Sequence, residues 1–409
     1  MNILILTDKY YPNPLANAIC VQNIADVFVQ QGHKVDILAY KDSGISGEKK
    51  HNDCNVKYIT PDLRTRLFYY AKNFPNSTKA RIAEGAAKLM NRSKKFVMMP
   101  FFPMYSFDFP RRIYHQIIRL HNKRNYDLVV SVFSPFDSTV AGYWFKKKYQ
   151  GVKWCLYSLD TFINQRYNFL NQKGNTHNFW LPRFLDKCDM FIYMRSREKE
   201  YADSYFDKWR SKMKPADIPL MVKEPNEMNS NHQNEVEQWV YAGSLGAPHY
   251  ITDDLIDIFM GLNDGKKREL HFYSSGDSFE KLKAVNASAQ SKVICHPYVA
   301  HNELMKVYKN ADVLVSIKYS DQISAKIFEY MTYGKKIVHV SGTKDDPNVQ
   351  YLFKYSRGIV IEPYKYTTDK CIVKLLSELY SLNGKETDLS YFEMNRPEYT
   401  KELILRCVQ

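Results

Sequence analysis

The stretch Lys318-Tyr319-Ser320-Asp321-Gln322-Ile323-Ser324-Ala325-Lys326-Ile327-Phe328-Glu329-Tyr330-Met331-Thr332-Tyr333-Gly334-Lys335-Lys336-Ile337-Val338 reads as the end of one strand, a polar loop, a short helix and the start of the next strand. Apolar runs near 313–319 and 335–341 supply the strands. Ser324 stands where a helix N-cap belongs, and Gly334 stands where a helix stops. Two strands joined by a helical crossover make a βαβ unit, and repeated units of this kind build a parallel sheet.

The same alternation runs outward in both directions. Towards the N-terminus, strands are expected near 2–7, 34–40, 56–60, 127–134, 154–159 and 189–194, with a helix from Asn17 to Gln31 that Gly32 ends. Between about Lys208 and Glu237 the pattern dissolves into Lys, Pro, Asn and Glu, including Lys214-Pro215 and Glu224-Pro225-Asn226, which reads as a linker. Strands resume near 238–244, 269–275, 292–298, 313–319, 335–341 and 358–362, and helical patterns over about 366–383 and 397–407 close the chain. The expected organisation is a Rossmann-like domain over 1–207, a linker over 208–237, a second Rossmann-like domain over 238–390, and a closing helix within 391–409 that can pack back on the first domain. A chain of 409 residues suits two cores rather than one. The fold class is therefore α/β, with two doubly wound parallel-sheet domains expected to face a cleft at the carboxyl ends of their strands, where such sheets bind ligands.

Composition narrows the function. Hydrophobic residues at 44% and charged residues at 25% are the balance of a soluble globular protein, and no run of eighteen apolar residues could span a bilayer. The opening apolar run Asn2-Ile3-Leu4-Ile5-Leu6 lacks a basic flank and a small-residue cleavage site, so a first strand and a cytoplasmic protein are expected, not a signal peptide. Seven cysteines form no C-x-x-C pair and no zinc-type cluster with histidine, so neither a disulfide framework nor a structural metal is expected. A net charge of +14 points to an anionic partner.

Residues directly after strands are the candidates for chemistry. Val240-Tyr241-Ala242-Gly243-Ser244-Leu245-Gly246 runs a strand into two glycines three apart, and Tyr273-Ser274-Ser275-Gly276-Asp277 is a second glycine loop after a strand. Such loops let backbone N–H groups approach a phosphate, though a plain tight turn has the same sequence. Lys326 can set a positive charge beside a diphosphate, and Glu329, three residues on and on the same helical face, can accept two ribose hydroxyls. A surface Lys–Glu pair on an ordinary helix would look the same. In the first half, Asp137 and Asp160 follow strands and are candidate acceptor-side groups; Asp137 is equally readable as a helix cap. The chain contains neither G-x-G-x-x-G nor a P-loop motif.

This constellation resembles the donor-binding signature of GT-B glycosyltransferases of family 4, a carboxylate, seven residues and a glutamate within a "K-[IL]-[FL]-E-Y-M-x-x-G-K-P" helix. Asp321 and Glu329 have that gap, and Lys326, Glu329, Tyr330, Met331, Gly334 and Lys335 match in register. Gly32-His33-Lys34-Val35 is similar to the family's "G-H-x-V" strand, Tyr241 to Gly246 to its "Y-x-G-N-L-G" opening, and Ala311-Asp312-Val313 to its "A-D-V" strand. The departures are specific. Leu15-Ala16-Asn17-Ala18 replaces a glycine pair in the first loop, Asp321 replaces Glu, and Ser244 with Ala247-Pro248-His249 stands where Arg and Lys often hold the diphosphate. Lys335-Lys336 replaces Lys-Pro.

The resemblance implies a nucleotide-sugar donor and a glycan or lipid-linked saccharide acceptor, as in bacterial surface polysaccharide synthesis. It places the ribose at Glu329, the diphosphate at Lys326 beside Gly243, Ser244, Gly246, Gly276 and Ser324, and the transferred sugar at Asp321. It also implies retention of anomeric configuration and no metal, in keeping with the absence of any D-x-D motif from the chain. A catalytically silent GT-B scaffold partner and a GT-B sugar-nucleotide epimerase are the alternatives.

Arg64 to Arg124 holds fourteen Lys/Arg and two acids, Glu84 and Asp108, so it carries +12 of the total charge, interleaved with eleven Phe and Tyr residues. That mixture suits the edge of an anionic membrane, while a solvated helix pair with a buried aromatic face is the plainer account. No nucleic-acid-binding signature is present, so nucleic acid is not the expected partner.

Overall fold

A computed structural model describes residues 1–10, 16–40, 49–75, 77–97, 104, 107–133, 136–159, 179–222, 235–245, 251–275, 282–283, 285, 290–297, 299, 301–320, 323–382, 385 and 387–408. The chain divides into two compact units, Met1–Pro219 with Met394–Gln409, and Leu220–Glu393.

In the first unit β1 (Asn2–Lys9), β2 (Lys34–Tyr40), β3 (Lys49–His51), β4 (Cys54–Ile59), β5 (Leu128–Val132), β6 (Lys153–Ser158), β7 (Met190–Met194) and β8 (Met213–Ala216) form one sheet in the order β3-β4-β2-β1-β5-β6-β7-β8. All neighbours are parallel except β3 and β4. The helices are α1 (Ala16–Gln30), α2 (Leu63–Asn73), α3 (Thr78–Val97), α4 (Asp108–Arg124), α5 (Phe136–Lys148), α6 (Leu181–Lys187) and α7 (Glu198–Tyr201).

Strands covered on both faces must be apolar on both faces, and β5 is buried throughout. Leu4, Leu6, Val129, Leu156 and Phe191 meet Ile113 and Ile117 of α4, Phe145 of α5 and Phe184 of α6. The alternate residues Ile3, Ile5, Ile37, Val130 and Ile192 meet Val21, Ala25 and Phe28 of α1. Leu403 and Ile404 of the closing helix Pro397–Leu405 join that second layer, so the end of the chain belongs to the first unit. Gly32, with φ of 79°, supplies the left-handed residue that ends α1.

Met213–Ala216, within the segment 208–237 expected as linker, instead belongs to the first sheet. Ser204–Lys212 is a 3-10 segment whose Trp209 is buried, and Met213–Ala216 pairs with β7 as the edge strand. Residues 223–234 lie outside those described.

In the second unit β9 (Glu237–Ser244), β10 (Arg268–Ser275), β11 (Ser291–His296), β12 (Val313–Lys318), β13 (Lys336–Ser341) and β14 (Gly358–Ile361) form a parallel sheet in the order β11-β10-β9-β12-β13-β14. This is the doubly wound 3-2-1-4-5-6 order, whose direction of winding reverses between β9 and β12. The described helices are α8 (Asp253–Met260), α9 (His301–Asn310), α10 (Ala325–Met331), α11 (Asn348–Leu352) and α12 (Thr368–Ser381). Trp239, Tyr241, Leu270, Phe272, Val313 and Val315 pack against Leu255, Ile258 and Phe259 of α8 and Leu375 and Leu379 of α12. The expected fold class, two α/β units built on parallel sheets, is the one the chain adopts.

Candidate functional site

The reversal between β9 and β12 puts the carboxyl ends of those two strands side by side, the position at which open α/β sheets bind ligands. Gly243 and Ser244 end β9, and α10 follows β12. Three of the expected donor-site residues meet there. The Lys326 ammonium donates to the carbonyl of Ala242, and the Ala242 N–H donates to the Tyr330 hydroxyl at 3.3 Å, so two residues one turn apart on α10 hold the end of β9. A Cβ built on Gly243 would lie 2.5 Å from Lys326 Nζ, and its φ is 153°, so this position excludes any side chain while the lysine is in place.

Glu329 faces elsewhere. Its Oε1 lies 3.4 Å from Nε2 of His301, the first residue of α9, and that is its ion-pair contact among the described residues. The ordinary surface Lys–Glu pair is therefore not what the chain builds. Burial lowers the Lys326 pKa to about 8, with Glu329 opposing the shift. Burial also raises the Glu329 pKa, opposed first by His301 and then by Lys326. Each charge is held largely out of water without a full counter-ion, which makes the pair a candidate functional site. Chemically, the site offers an anionic group a lysine and bare backbone at Gly243, with a carboxylate nearby to accept hydroxyl hydrogen bonds.

Ser324 occupies the N-cap position with extended backbone, but its hydroxyl makes no capping bond. Its N–H instead donates to Asn348 Oδ1 at 2.7 Å. Asn348 Nδ2 and N–H donate to Asp346 Oδ1 at 2.6 and 2.9 Å, and Asp346 Oδ2 lies 2.8 Å from Nε2 of His339 on β13, with the His339 and Asp346 side chains buried. A buried polar chain thus runs from the sheet interior to the entry of α10. Asp321, Gly246 and Gly276 lie outside the described residues, and so does Asp160; Ser244 is placed at the end of β9.

In the first unit the corresponding reversal lies between β1 and β5. Asp137 sits buried in the first turn of α5, beyond the end of β5. Burial, and after it the carboxylates of Asp137, Asp8 and Asp62, push the Tyr40 phenol well above its usual pKa. Asp8 and Tyr40 escaped the sequence reading, although both end strands. His301 escaped as well; its only signal is that it opens the helix after a strand.

The basic segment forms α2, α3 and α4. Asp62 caps α2 by accepting from Thr65 N–H. The buried face of α3 is small, Ala80, Ala83 and Ala87, whereas Ile82 and Leu89 are 67% and 68% exposed beside Arg81 and Lys88. Leu63 and Phe74 of the adjoining α2 region are also exposed. α2 buries none of its residues, while Phe109 of α4 is buried.

No family model matches the chain, and no curated protein matches it. Solved structures do. Sucrose-phosphate synthase from Thermosynechococcus elongatus is similar over 100% of this chain and 95% of its own at 13% identity, with a TM-score of 0.54. A trehalose 6-phosphate synthase from Burkholderia multivorans aligns over 100% and 96% at 10% identity and 0.55, and a glycosyltransferase from Rickettsia africae over 100% and 94% at 11% and 0.54. At such identities the likeness establishes the fold, that of the GT-B class.

Proposed function

We propose that this chain is a glycosyltransferase of the family 4 type, moving a sugar from a nucleotide-sugar donor to a glycan or lipid-linked saccharide in bacterial surface polysaccharide synthesis. The observation that carries the reading is the meeting of Gly243 and Lys326 at the β9–β12 reversal, with Glu329 three residues further along the same helix and both charges incompletely matched. Lys326 contacts the diphosphate, which also lies along the Gly243–Gly246 and Gly276 loops and the entry of α10 at Ser324. Glu329 accepts the ribose hydroxyls. Asp321, eight residues before Glu329, faces the transferred sugar, and Asp137 and Asp160 serve the acceptor side.

In the reaction an acceptor hydroxyl oxygen bonds to the anomeric carbon while the bond from that carbon to the diphosphate oxygen breaks, on the same face of the sugar. The acceptor proton passes to the departing phosphate. The protein contributes positioning and a cation beside the growing negative charge. No metal is assigned to this step: the lysine supplies the charge that a divalent ion supplies elsewhere. Among the described residues no helix is long and apolar enough to cross a membrane. The basic hairpin of α2 and α3 is the part proposed to lie on the inner face of the cell membrane, with Ile82 and Leu89 towards the lipid.

Thermal unfolding with UDP, GDP, CDP and their sugar conjugates tests the donor reading. A ligand at 100 times its Kd adds about 2.7 kcal/mol, which is several degrees for a domain of this size. The expected result is a shift with one nucleotide family that Glu329→Ala removes. No shift with any nucleotide would overturn the donor site and leave the silent GT-B partner as the account.

A further inference from the structure

His301 reaches the site from a third element. Lys326 and Glu329 stand on α10 and Gly243 on β9, while His301 opens α9 beyond the carboxyl end of β11. Its side chain is 35% exposed and that of Glu329 is 16% exposed, so the contact joins a half-buried ring to a more deeply buried carboxylate. At 3.4 Å the contact is an ion-pair distance, longer than a hydrogen bond, and it engages Oε1. A carboxylate that is to accept two vicinal ribose hydroxyls must be ionised and must be held against rotation.

We infer that His301 is a positioning residue for Glu329, fixing the carboxylate ionised and in the orientation in which it accepts the hydroxyls of a nucleoside diphosphate's ribose. The inference rests on the donor-site reading above. The titratable groups facing Glu329 are His301 and Tyr308 from α9, Lys326 and Tyr330 from α10 itself, and Tyr333 just beyond it. Burial raises all three phenols, so they stay protonated across the physiological range, and Lys326 stays largely protonated below about 8. One of the three Lys326 donors goes to the Ala242 carbonyl. Burial works against the Glu329 charge, and the imidazole is the first of the two groups that oppose it, ahead of Lys326.

The experiment is calorimetric titration of the full chain with UDP and with GDP from pH 5 to 8, comparing wild type, His301→Ala and His301→Gln. With the nucleotide that binds, His301→Ala is expected to weaken affinity about five- to tenfold at neutral pH. Its loss of affinity on acidification should begin at higher pH than in wild type. The ligand's own ionisation is common to all three proteins and cancels in that comparison. His301→Gln keeps a neutral donor at similar reach, so it should recover part of the affinity while keeping the displaced acid limb. A merely structural histidine would lower affinity without moving that limb. Equal affinities and coincident acid limbs in wild type and both variants would overturn the inference while the donor site stands. Failure of folded wild type to bind either nucleotide would overturn the donor-site reading, and this inference with it. If His301→Ala fails to fold, the acid limb of His301→Gln decides.

Discussion

The two ends of the second sheet treat buried charge in opposite ways. At the amino ends of β9 and β10, Arg268 is 1% exposed; its two terminal nitrogens bond Asp264 at 2.6 and 2.8 Å, and Nε bonds Glu237 at 2.7 Å. Trp239 and Tyr380 complete the two carboxylates at 2.9 and 3.0 Å, and the guanidinium holds Asp264 well below the usual carboxylate range. At the carboxyl end of β9, Lys326 has a carbonyl instead of a carboxylate, and Glu329 a histidine at 3.4 Å. Burial dominates both pKa shifts there and penalises both charges. Matched charges report a fold being held together. Mismatched ones mark a candidate site.

Breaking the matched end gives the largest expected effect. Arg268→Met removes a buried cation from between two half-buried carboxylates and should destabilise the second unit by about 3 kcal/mol, the low end for a broken buried pair, read as a lower urea midpoint. Asp264 has its folded pKa depressed, so its contribution is present above the unfolded value of 3.8 and is lost as pH falls below it. In Arg268→Met that acid-side loss should shrink, because the hydrogen bonds from Arg268 are the main cause of the depression.

Breaking the mismatched end should have the opposite sign. Lys326→Met gives up the bond to Ala242, worth about 1 kcal/mol, but sheds the larger cost of burying the ammonium. A gain of about 1–2 kcal/mol in stability is expected, together with loss of nucleotide binding. The folded-state pKa of about 8 lies below the ordinary 10.5. The folded protein therefore binds this proton less readily than the unfolded chain, and stability should rise as pH climbs from about 8 towards 10.5. Stability curves at pH 7, 8.5 and 10 for wild type and Lys326→Met check this. A variant no more stable than wild type at pH 7, with the same pH slope, would place Lys326 among the matched charges.

The strands of both sheets could be read from the chain because parallel strands covered on both faces are continuous apolar runs, as in β5 and β12. The two strands that escaped lie at the sheet's edges. Lys49–His51 is three polar residues, and Met213–Ala216 contains Lys214 and Pro215, which a strand accepts at an edge where the proline has no neighbour to donate to. The candidate site was legible as far as spacing along one helix reaches, which is the pairing of Lys326 with Glu329. What spacing does not encode is which partner each side chain meets across the fold. His301 approaches from another helix, and Asn348, 24 residues further on, takes the N–H of Ser324 that a serine cap was expected to serve locally.

The same contrast extends to the first unit and gives the smallest expected change in stability. Asp36, buried near the amino end of β2, is matched by Arg124, Tyr126 and Asn55 at 2.5, 2.5 and 2.8 Å. By contrast α3 turns alanines inwards and Ile82 and Leu89 outwards, one beside Arg81 and the other beside Lys88. A helix whose large apolar side chains face solvent gains nothing from them in the isolated protein. Ile82→Asp with Leu89→Asp should therefore shift stability by less than about 0.5 kcal/mol per site. The same pair should abolish flotation with vesicles rich in anionic phospholipid, where wild type binds at low salt and is released in part at high salt as the cationic contribution is screened. Loss of stability without loss of flotation would make these side chains part of the fold after all. Failure of wild type to float at low salt would remove the membrane from the proposed function and leave the donor site untouched.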